Sequence, residues 1–328
     1  MNLLEVDNLH TYFDTYEGVI QAVDGVSFTI KQGKTLGLMG ESGCGKSVTA
    51  LSILKLISSP PGKIIKGKAI FQHNDEYIDL VKLHPKSEKI RRIRGNDISM
   101  IFQDPMTSLN PVYTIGEQII ETIRYHKSLS QKEAKEQALE NLLKVGFPNP
   151  ILRINDYPHH LSGGLRQRAM IAMALSCNPK VLIADEPTTA LDVTVQAQIL
   201  ELMGDLQSEF NMAIIFISHD LGVINEMCDE VAVMYLGQII ESGPVNDLFK
   251  NPSHPYTRSL LESMPILRSN NNKKLNPIMG SVPVPIDLKK GCRFLERCNE
   301  KQSFCYSESE IKLKNIKNKQ FVRCWLYE

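Results

Sequence analysis

The stretch that decides the fold is Gly40-Glu41-Ser42-Gly43-Cys44-Gly45-Lys46-Ser47. It follows a short apolar run at 35–39 and precedes an amphipathic helical pattern at 47–57. A strand, a glycine-rich loop of the form Gly-x4-Gly-Lys-Ser and a helix together are typical of a phosphate-binding loop, whereas an ordinary glycine-rich turn lacks this context. The glycines allow successive backbone N–H groups to face phosphate oxygens, and the helix N-terminus adds its dipole.

Within this loop, Lys46 is predicted to reach the β- and γ-phosphates of a nucleotide, and the Ser47 hydroxyl to bind Mg²⁺. Cys44 stands at a variable position of the pattern, so its thiol is expected to be incidental. The residues predicted to contact ATP here are Gly40, Ser42, Gly43, Cys44, Gly45, Lys46, Ser47 and Val48.

Two carboxylates, Asp185 and Glu186, follow the apolar run 181–184. An isolated acidic pair after apolar residues most often begins a helix or a turn. Beside a phosphate loop, however, the carboxyl end of a neighbouring parallel strand lies at the nucleotide site. We therefore predict that Asp185 binds Mg²⁺ and that Glu186 is the general base that activates water.

Composition is that of an ordinary globular protein. The 328 residues are 42% hydrophobic and 23% charged, and 37 basic residues balance 37 acidic ones. Zero net charge argues against a nucleic-acid partner. No apolar run approaches the ~18 residues of a membrane-spanning helix, and acids stand where a signal peptide would be basic. We expect a cytoplasmic chain whose seven cysteines are thiols or metal ligands.

The pattern of elements predicts an α/β fold. Alternating residues around Gly18 indicate an antiparallel edge sheet, and strands at 35–39, 98–102, 181–184 and 213–217 separated by helical patterns indicate a mainly parallel sheet. The predicted organisation is a nucleotide-binding domain at 1–252, with a helical insert at 106–165 whose helical pattern covers 114–145, and an extension at 253–328. The extension begins with a short helix at 256–264, a polar linker at 268–274 and a proline-rich stretch.

A second motif, Leu161-Ser162-Gly163-Gly164, precedes a helical pattern at 165–174. A serine cap and glycines at a helix start form an anion-binding nest, although an isolated Ser-Gly-Gly is most often an ordinary cap. With the phosphate loop before it and Asp185 after it, the sequence from 3 to about 250 resembles the ATP-binding-cassette (ABC) ATPases, a P-loop family with a RecA-like sheet. This resemblance implies that Ser162, Gly163 and Gly164 of one subunit cover the ATP bound by the other. Leu165 stands where the commonest pattern has glutamine, and little functional loss is expected.

The resemblance implies roles for further residues. Gln103 opens a loop that contacts Mg²⁺ and the γ-phosphate and relays their presence to a membrane partner. The segment Ala190-Leu191-Asp192 couples the two sites of the dimer, and His219 contacts the γ-phosphate and holds the general base. Phe13, with Tyr12 as the alternative, stacks on adenine, whereas the residues alone also allow an aromatic of the sheet core.

Four cysteines, Cys292, Cys298, Cys305 and Cys324, lie within the last 37 residues. Such a set without a neighbouring histidine predicts a metal site with four thiolates. Gaps of five, six and eighteen residues leave zinc and iron–sulfur equally open, and scattered surface thiols are the alternative. Cys177 and Cys228 are expected to be buried thiols in helices.

The surroundings of these cysteines, such as Gly280-Ser281-Val282-Pro283 and Gly291-Cys292-Arg293-Phe294, resemble the C-terminal extension of oligopeptide and dipeptide importer ATPases. Because some of those proteins carry a [4Fe–4S] cluster there, the resemblance implies the same ligands here. It further implies an ATPase subunit on the cytoplasmic face of a bacterial membrane. Its partners would be a second homologous ATPase, two permeases and an extracytoplasmic binding protein. A nickel or metal-chelate importer is the alternative, and a soluble ABC ATPase fits less well because the chain has one cassette and no long coiled coil.

Overall fold

The computed structural model describes residues 2–74, 76–104, 108–189, 191–263, 278–317 and 319–328. The predicted linker at 268–274 and the end of the predicted helix at 264 lie outside the described residues, as do Pro105 and Ala190. Within the described ranges, every helix is too short or too polar to cross a lipid bilayer.

Twelve strands are found in the described part of the chain. They are β1 (Asn2–Thr15), β2 (Gly18–Lys31), β3 (Thr35–Met39), β4 (Gly62–His73), β5 (Glu76–Asp79), β6 (Ile98–Ile101), β7 (Val181–Asp185), β8 (Ala213–Ser218), β9 (Glu230–Tyr235), β10 (Gln238–Pro244), β11 (Lys314–Lys317) and β12 (Gln320–Val322). The α-helices of the same ranges are α1 (Lys46–Ile53), α2 (Glu88–Ile93), α3 (Ile115–His126), α4 (Gln131–Lys144), α5 (Pro150–Arg153), α6 (Gly163–Ala174), α7 (Val193–Phe210), α8 (Leu221–Met227), α9 (Val245–Lys250) and α10 (Pro255–Glu262).

Eight strands form the main sheet in the order β11-β12-β10-β9-β3-β8-β7-β6. From β9 to β6 all neighbours are parallel, and β10, β12 and β11 add an antiparallel side. Every residue of β3, β7 and β8 is buried. Strands that are covered on both faces read as continuous apolar runs, which explains why these three were predictable.

The second sheet is antiparallel, in the order β2-β1-β4-β5. The predicted hairpin around Gly18 is its β1–β2 pair, while β4 and β5 were not predicted. The sheet packs against α1, where the buried hydroxyls of Thr11 and Ser52 lie 2.7 Å apart. The strand that carries Tyr12 and Phe13 therefore lies next to the helix that follows the phosphate loop.

The helical region differs in detail from the prediction. The single pattern at 114–145 forms two helices, α3 and α4, because Thr114 and Ser130 each begin a helix with a capping box, to Glu117 and Glu133. Helix α1 ends at Ile53, four residues earlier than predicted, and Lys55 shortly after it has φ +55°.

The extension is fastened to both sheets. Strand β12 pairs with β10 on the main sheet, and Ile286 bridges Ile20 on β2 of the antiparallel sheet. A fully buried carboxylate on β10, Glu241, accepts hydrogen bonds from the backbone N–H groups of Ser253 (2.7 Å) and His254 (3.0 Å) and from Gln320 (2.8 Å). The start and the end of the extension are thus held by the same side chain.

Candidate nucleotide site

The phosphate loop joins the end of β3 to the start of α1, and its glycines are required by close backbone contacts. Gly40 and Gly45 have φ of +149° and +97°. A Cβ on Gly40 would lie 2.3 Å from the Met234 carbonyl oxygen, and one on Gly45 would lie 2.1 Å from that of Ala22. Only glycine allows the loop to pass this close to its neighbours.

Lys46 points its side chain back into the loop. Its ammonium donates hydrogen bonds to the carbonyl oxygens of Gly40 (2.8 Å) and Glu41 (3.0 Å). The residue is only 5% exposed, and burial lowers the pKa of this lysine. The Lys46 ammonium is thus an almost fully buried cation within the loop, where it is suited to bind an anion.

Ser47 and Asp185 provide neighbouring oxygen ligands. The hydroxyl of Ser47, in the first turn of α1, donates to Oδ1 of Asp185, at the end of β7, over 3.0 Å. Burial raises the pKa of Asp185, and the hydrogen bond from Ser47 opposes that effect. A hydroxyl and a carboxylate are the hard ligands that Mg²⁺ prefers, so this pair has the chemistry to hold the ion.

Glu186 lies at the centre of a polar network. Its carboxylate accepts hydrogen bonds from Gln103 Nε2 (2.9 Å) and Thr189 Oγ1 (3.0 Å), and His219 Nδ1 lies 3.1 Å from Oε1. Burial would raise the pKa of Glu186. The hydrogen bond and charge of His219, with Thr189 and Lys46, outweigh burial and lower that pKa below its usual value. Glu186 is therefore an ionised acceptor held in one orientation.

The structure brings together the residues predicted from β6, β7, β8 and the phosphate loop. Gln103 follows β6, Asp185 and Glu186 end β7, and His219 follows β8. Thr189 was missed by the sequence reasoning. The only signal in the sequence is that Thr189 stands three residues after Glu186, a spacing that lets its hydroxyl donate to that carboxylate.

The Ser162 motif forms the start of α6. Ser162 Oγ accepts a long, 3.4 Å hydrogen bond from Leu165 N, and Ser162 and Gly163 are exposed. Beside it, Asp192 caps α7 by accepting from Val195 N over 2.9 Å. A Cβ on Gly164 would lie 2.9 Å from Val195, so the two helix starts are adjacent. Among the described residues, no hydrogen bond links this motif to the phosphate loop of the same chain.

Tyr12 and Phe13 have different surroundings. Tyr12 donates its phenol hydrogen to Asp24 over 2.6 Å, which engages its hydroxyl within the sheet. The ring of Phe13 lies beside Gly62, where a Cβ would be 2.8 Å from it, close to the loop after α1. Of the two, Phe13 is the half-buried ring without a polar contact of its own among the described residues.

Comparison with known proteins identifies the family. The family model described as ABC transporter matches residues 23–189. A protein of Bacillus subtilis (strain 168) named oligopeptide transport ATP-binding protein AppD is 53% identical over 99% of this chain and 97% of its own length. The chain belongs to the ABC transporter ATP-binding family. The resemblance deduced from its motifs is confirmed.

Other comparisons of this ABC ATPase agree. The oligopeptide transport ATP-binding protein OppD of the same organism is 49% identical over 99% of this chain and 88% of its own. A solved dimeric bacterial ABC transporter cassette matches with a TM-score of 0.65 and 27% identity, covering 74% of this chain and 98% of the cassette. A family model for the C-terminal region of oligopeptide/dipeptide transporters matches residues 240–305.

The four cysteines of this ABC ATPase's C-terminal region line one cavity, together with the buried His254. Burial raises the pKa of Cys292 to about 12 and that of Cys324 to about 11, so both are neutral thiols unless a cation is present. Among the described residues, no group of three or more His, Cys, Asp or Glu side chains is placed to hold a metal ion. The cavity thus has the donor chemistry of a thiolate site without the arrangement around a single ion.

The two remaining cysteines that were predicted to be buried thiols are buried, but they are not in helices. Cys177 lies in the turn after α6, and Cys228 follows the last residue of α8. Burial raises the pKa of both, which makes them unreactive thiols.

Proposed function

We propose that this chain is the ATP-hydrolysing subunit of a bacterial peptide importer. The observation that carries the proposal is the Glu186 network at the end of the phosphate-loop sheet, since it holds a general base ready for water. Peptide as the cargo is supported by the names of the relatives and by the match of the C-terminal region. Nickel or a metal chelate is not favoured, because none of these names refers to a metal.

In the proposed mechanism, Lys46 exchanges its two carbonyl partners for phosphate oxygens when ATP enters. Ser47 and Asp185, with Gln103, would hold Mg²⁺, which would supply positive charge to the phosphates. Glu186 accepts the proton of the attacking water, and its lowered pKa keeps it ionised for that purpose.

His219 and Gln103 orient Glu186, because each contacts one of its two carboxylate oxygens. Both residues follow strands next to β7 in the main sheet, so either can report the γ-phosphate to the rest of the molecule. Stacking of adenine on Phe13, rather than on Tyr12, is supported by the engagement of the Tyr12 hydroxyl with Asp24.

A second ATPase subunit is proposed to complete the site. The exposed start of α6, with Ser162 and the two glycines, offers backbone N–H groups and a helix N-terminus that are suited to a partner's γ-phosphate. Asp192 lies beside this motif, and its proposed role is to couple the two sites. The dimeric state of the matched cassette supports this arrangement. A heterodimer with a homologous subunit is our proposal.

Contact with two permeases is proposed for a groove between α3 and the loop before it. Asn110, Gln118 and Thr122 line it, together with the exposed Tyr113. Docking here would place the chain at the cytoplasmic face of the membrane. An extracytoplasmic binding protein would select the peptide.

Uptake by vesicles that contain the complete transporter tests the proposal. We expect ATP inside the vesicles to drive import of a labelled oligopeptide, and Glu186→Gln to abolish it. Glu201→Gln, an exposed change on α7, is the matched control and should leave uptake unchanged. Import of nickel in place of peptide, or peptide import that needs no ATP, would contradict the assignment.

A [4Fe–4S] cluster is our further proposal for Cys292, Cys298, Cys305 and Cys324. It is supported by the four thiols that line one cavity and by the match of this part of the chain to the C-terminal region of oligopeptide/dipeptide transporters. Full-length protein purified without oxygen should be brown and contain about four irons. Cys298→Ala should lose the colour, and Cys177→Ala, remote from the cavity, should keep it. Colourless protein with bound zinc would reject the cluster.

A further inference from the structure

The extension reaches the phosphate loop through Arg297, the residue before Cys298. Its guanidinium forms two hydrogen bonds to the carboxylate of Glu41, with Nη1 2.7 Å and Nη2 2.9 Å from the two oxygens. Glu41 is the second residue of the loop, directly after Gly40. A bidentate pair of this kind fixes orientation as well as distance, so the extension determines where this part of the loop lies.

Arg297 is itself held tightly. Its remaining donors bond to the carbonyl oxygens of Met279 (2.9 Å) and Gly280 (3.2 Å) and approach the Tyr235 hydroxyl (3.4 Å). The side chain is 6% exposed. The hydrogen bond to Glu41 also raises the pKa of this guanidinium. From the other side, the Glu41 N–H donates to the hydroxyl of Tyr256 on α10, at 2.9 Å.

A second arginine, Arg293, reaches the adenine side of the site and directly follows Cys292. It forms an ion pair with Asp24 of β2 and donates to the Leu236 carbonyl oxygen. Asp24 also accepts from Tyr12 (2.6 Å), the neighbour of Phe13, and lies 2.7 Å from His10.

Burial alone would raise the pKa of the Asp24 carboxyl. Hydrogen bonds from His10 and Tyr12, together with the guanidinium charge of Arg293, outweigh burial and hold that pKa well below its usual range. Asp24 is therefore an anion that two side chains of β1 and one arginine of the extension contact, and the ion pair persists across the working pH range.

The backbone of the extension holds the same hairpin. Gln21 N donates to the Pro285 carbonyl oxygen (2.8 Å), and Asp287 N donates to that of Val19 (3.0 Å). The hairpin β1–β2 that carries Phe13 and the phosphate loop that carries Lys46 are thus fixed to one short segment, residues 284–297.

We infer that Arg297 and Arg293 are positioning residues for ATP. Arg297 holds the phosphate loop in position, and Arg293 holds the hairpin that carries Phe13. The extension thereby fixes the distance between the loop and the hairpin. The inference rests on the placement of ATP proposed above. Neither arginine has a hydrogen bond to Glu186, Gln103 or His219 among the described residues. Both should therefore act on nucleotide affinity and leave the chemical step nearly unchanged.

Binding of Mg²⁺–ATP and of Mg²⁺–triphosphate, an inorganic probe without adenine, to the full-length chain separates the two roles. Arg297→Gln should raise the Kd of both probes, by about fivefold or more, whereas Arg293→Gln should raise that of ATP alone. At saturating ATP, kcat of both variants should stay within about twofold of the wild type. The charge swap Glu41→Arg with Arg297→Glu should recover part of the affinity that either single change removes.

Arg258→Gln is the matched control. Arg258 pairs with Glu300 of the same extension over 2.9 Å and, among the described residues, forms no hydrogen bond with Glu41 or Asp24, so its loss should leave both Kd values unchanged. Arg297→Lys keeps the positive charge but cannot form the paired hydrogen bonds of a guanidinium, so it should bind ATP with intermediate affinity. This variant provides the test if Arg297→Gln fails to fold. Unchanged Kd values in both arginine variants, or an equal loss of affinity in Arg258→Gln, would overturn the inference.

Lys46→Ala tests the ATP placement itself. Wild-type ATP affinity in that variant would reject the proposed ATP site, but it would not bear on the roles of the two arginines.

Discussion

Glu186 combines a strained backbone with a carboxylate that its neighbours hold in place. Its φ of +47° lies in the left-handed region, which costs about 1 kcal/mol or more for a residue with a Cβ. Its carboxylate is nevertheless held from both sides by Gln103 and His219. The backbone strain is thus retained at the residue that we propose as the general base.

Glu186→Gln is expected to remove the proton acceptor while preserving the shape of the site. We expect kcat for ATP hydrolysis to fall by ~10²–10⁴-fold, with ATP still bound. Because hydrolysis would no longer reopen the subunits, the variant should accumulate as an ATP-bound dimer, which light scattering after gel filtration detects. Normal turnover in this variant would show that another group is the base.

Asp185→Asn should separate stability from function. Burial raises the pKa of Asp185 in the folded protein above its unfolded value. The carboxyl therefore favours folding at low pH, and this contribution is lost as the pH rises through the folded pKa. At neutral pH the neutral amide should raise the Tm of the nucleotide-free protein by about 1–3 °C, whereas stabilisation by Mg²⁺–ATP should disappear.

Thermal unfolding with and without nucleotide measures both effects. The increase in Tm that Asp185→Asn produces without nucleotide should become smaller in acid, where the wild-type carboxyl is protonated. Asp192→Asn, which keeps a good helix cap at an exposed site, should leave the Tm unchanged. A lower Tm for Asp185→Asn at neutral pH would mean that Asp185 stabilises the empty site.

Helices α4 and α6 both begin at a serine that caps the helix, but the two starts differ in what they can do for a partner. Ser130 belongs to a closed capping box with Glu133, whereas Ser162 is followed by two glycines and leaves its first N–H groups accessible. Only the start of α6 resembles an open anion nest.

Ser162→Arg should abolish hydrolysis and leave ATP binding intact, because a bulky side chain would keep the partner's γ-phosphate out of the nest. Ser130→Arg is the matched control, since it loses a similar cap, worth about 1 kcal/mol, and should still hydrolyse ATP. ATPase rate and ATP affinity, measured for both variants, decide the matter. Loss of ATP binding in Ser162→Arg would place the motif in its own subunit's site.

At the scale of the whole molecule, each active site is expected to need two chains. ATPase activity per molecule should therefore rise with protein concentration and level off when the dimer is saturated. If the natural partner is a homologous subunit, adding it at low concentration should raise the rate more than adding an equal amount of this chain. Full activity of a strict monomer at every dilution would contradict the shared site.

The grouping of Lys46, Ser47 and Asp185 at one edge of the sheet could be predicted, because phosphate and Mg²⁺ require particular residues at particular spacings. Their roles toward ATP stay predictions. Gln103 and His219 could be assigned only through the family resemblance, since a lone glutamine or histidine carries no signal. The network of Tyr12, Asp24 and Arg293 could not be predicted, as it joins residues 269 positions apart whose spacing has no repeating pattern.

Among the elements, apolar strands such as β7 and β8 were predictable, whereas β4, β5 and β11 were not, since their exposed positions carry many polar residues. Strand β12 was not predicted either, because three residues are too few to show a pattern. The hairpin of β9 and β10 lacked a clear signal. Both residues of its turn, Leu236 and Gly237, have positive φ, but leucine is not a residue that favours this conformation. The division at 252–253 stays a prediction.

The pairing of β12 with β10 has a consequence for any shortened form of this protein. Strand β11, four residues long with two lysines, forms the outer border of the main sheet, and short, charged borders resist pairing with other chains. A chain cut after residue 252 would instead present the bare backbone of β10, with the carboxylate of Glu241 deprived of Gln320. Such a trimmed cassette would be a template for intermolecular strand addition and precipitation rather than a minimal enzyme.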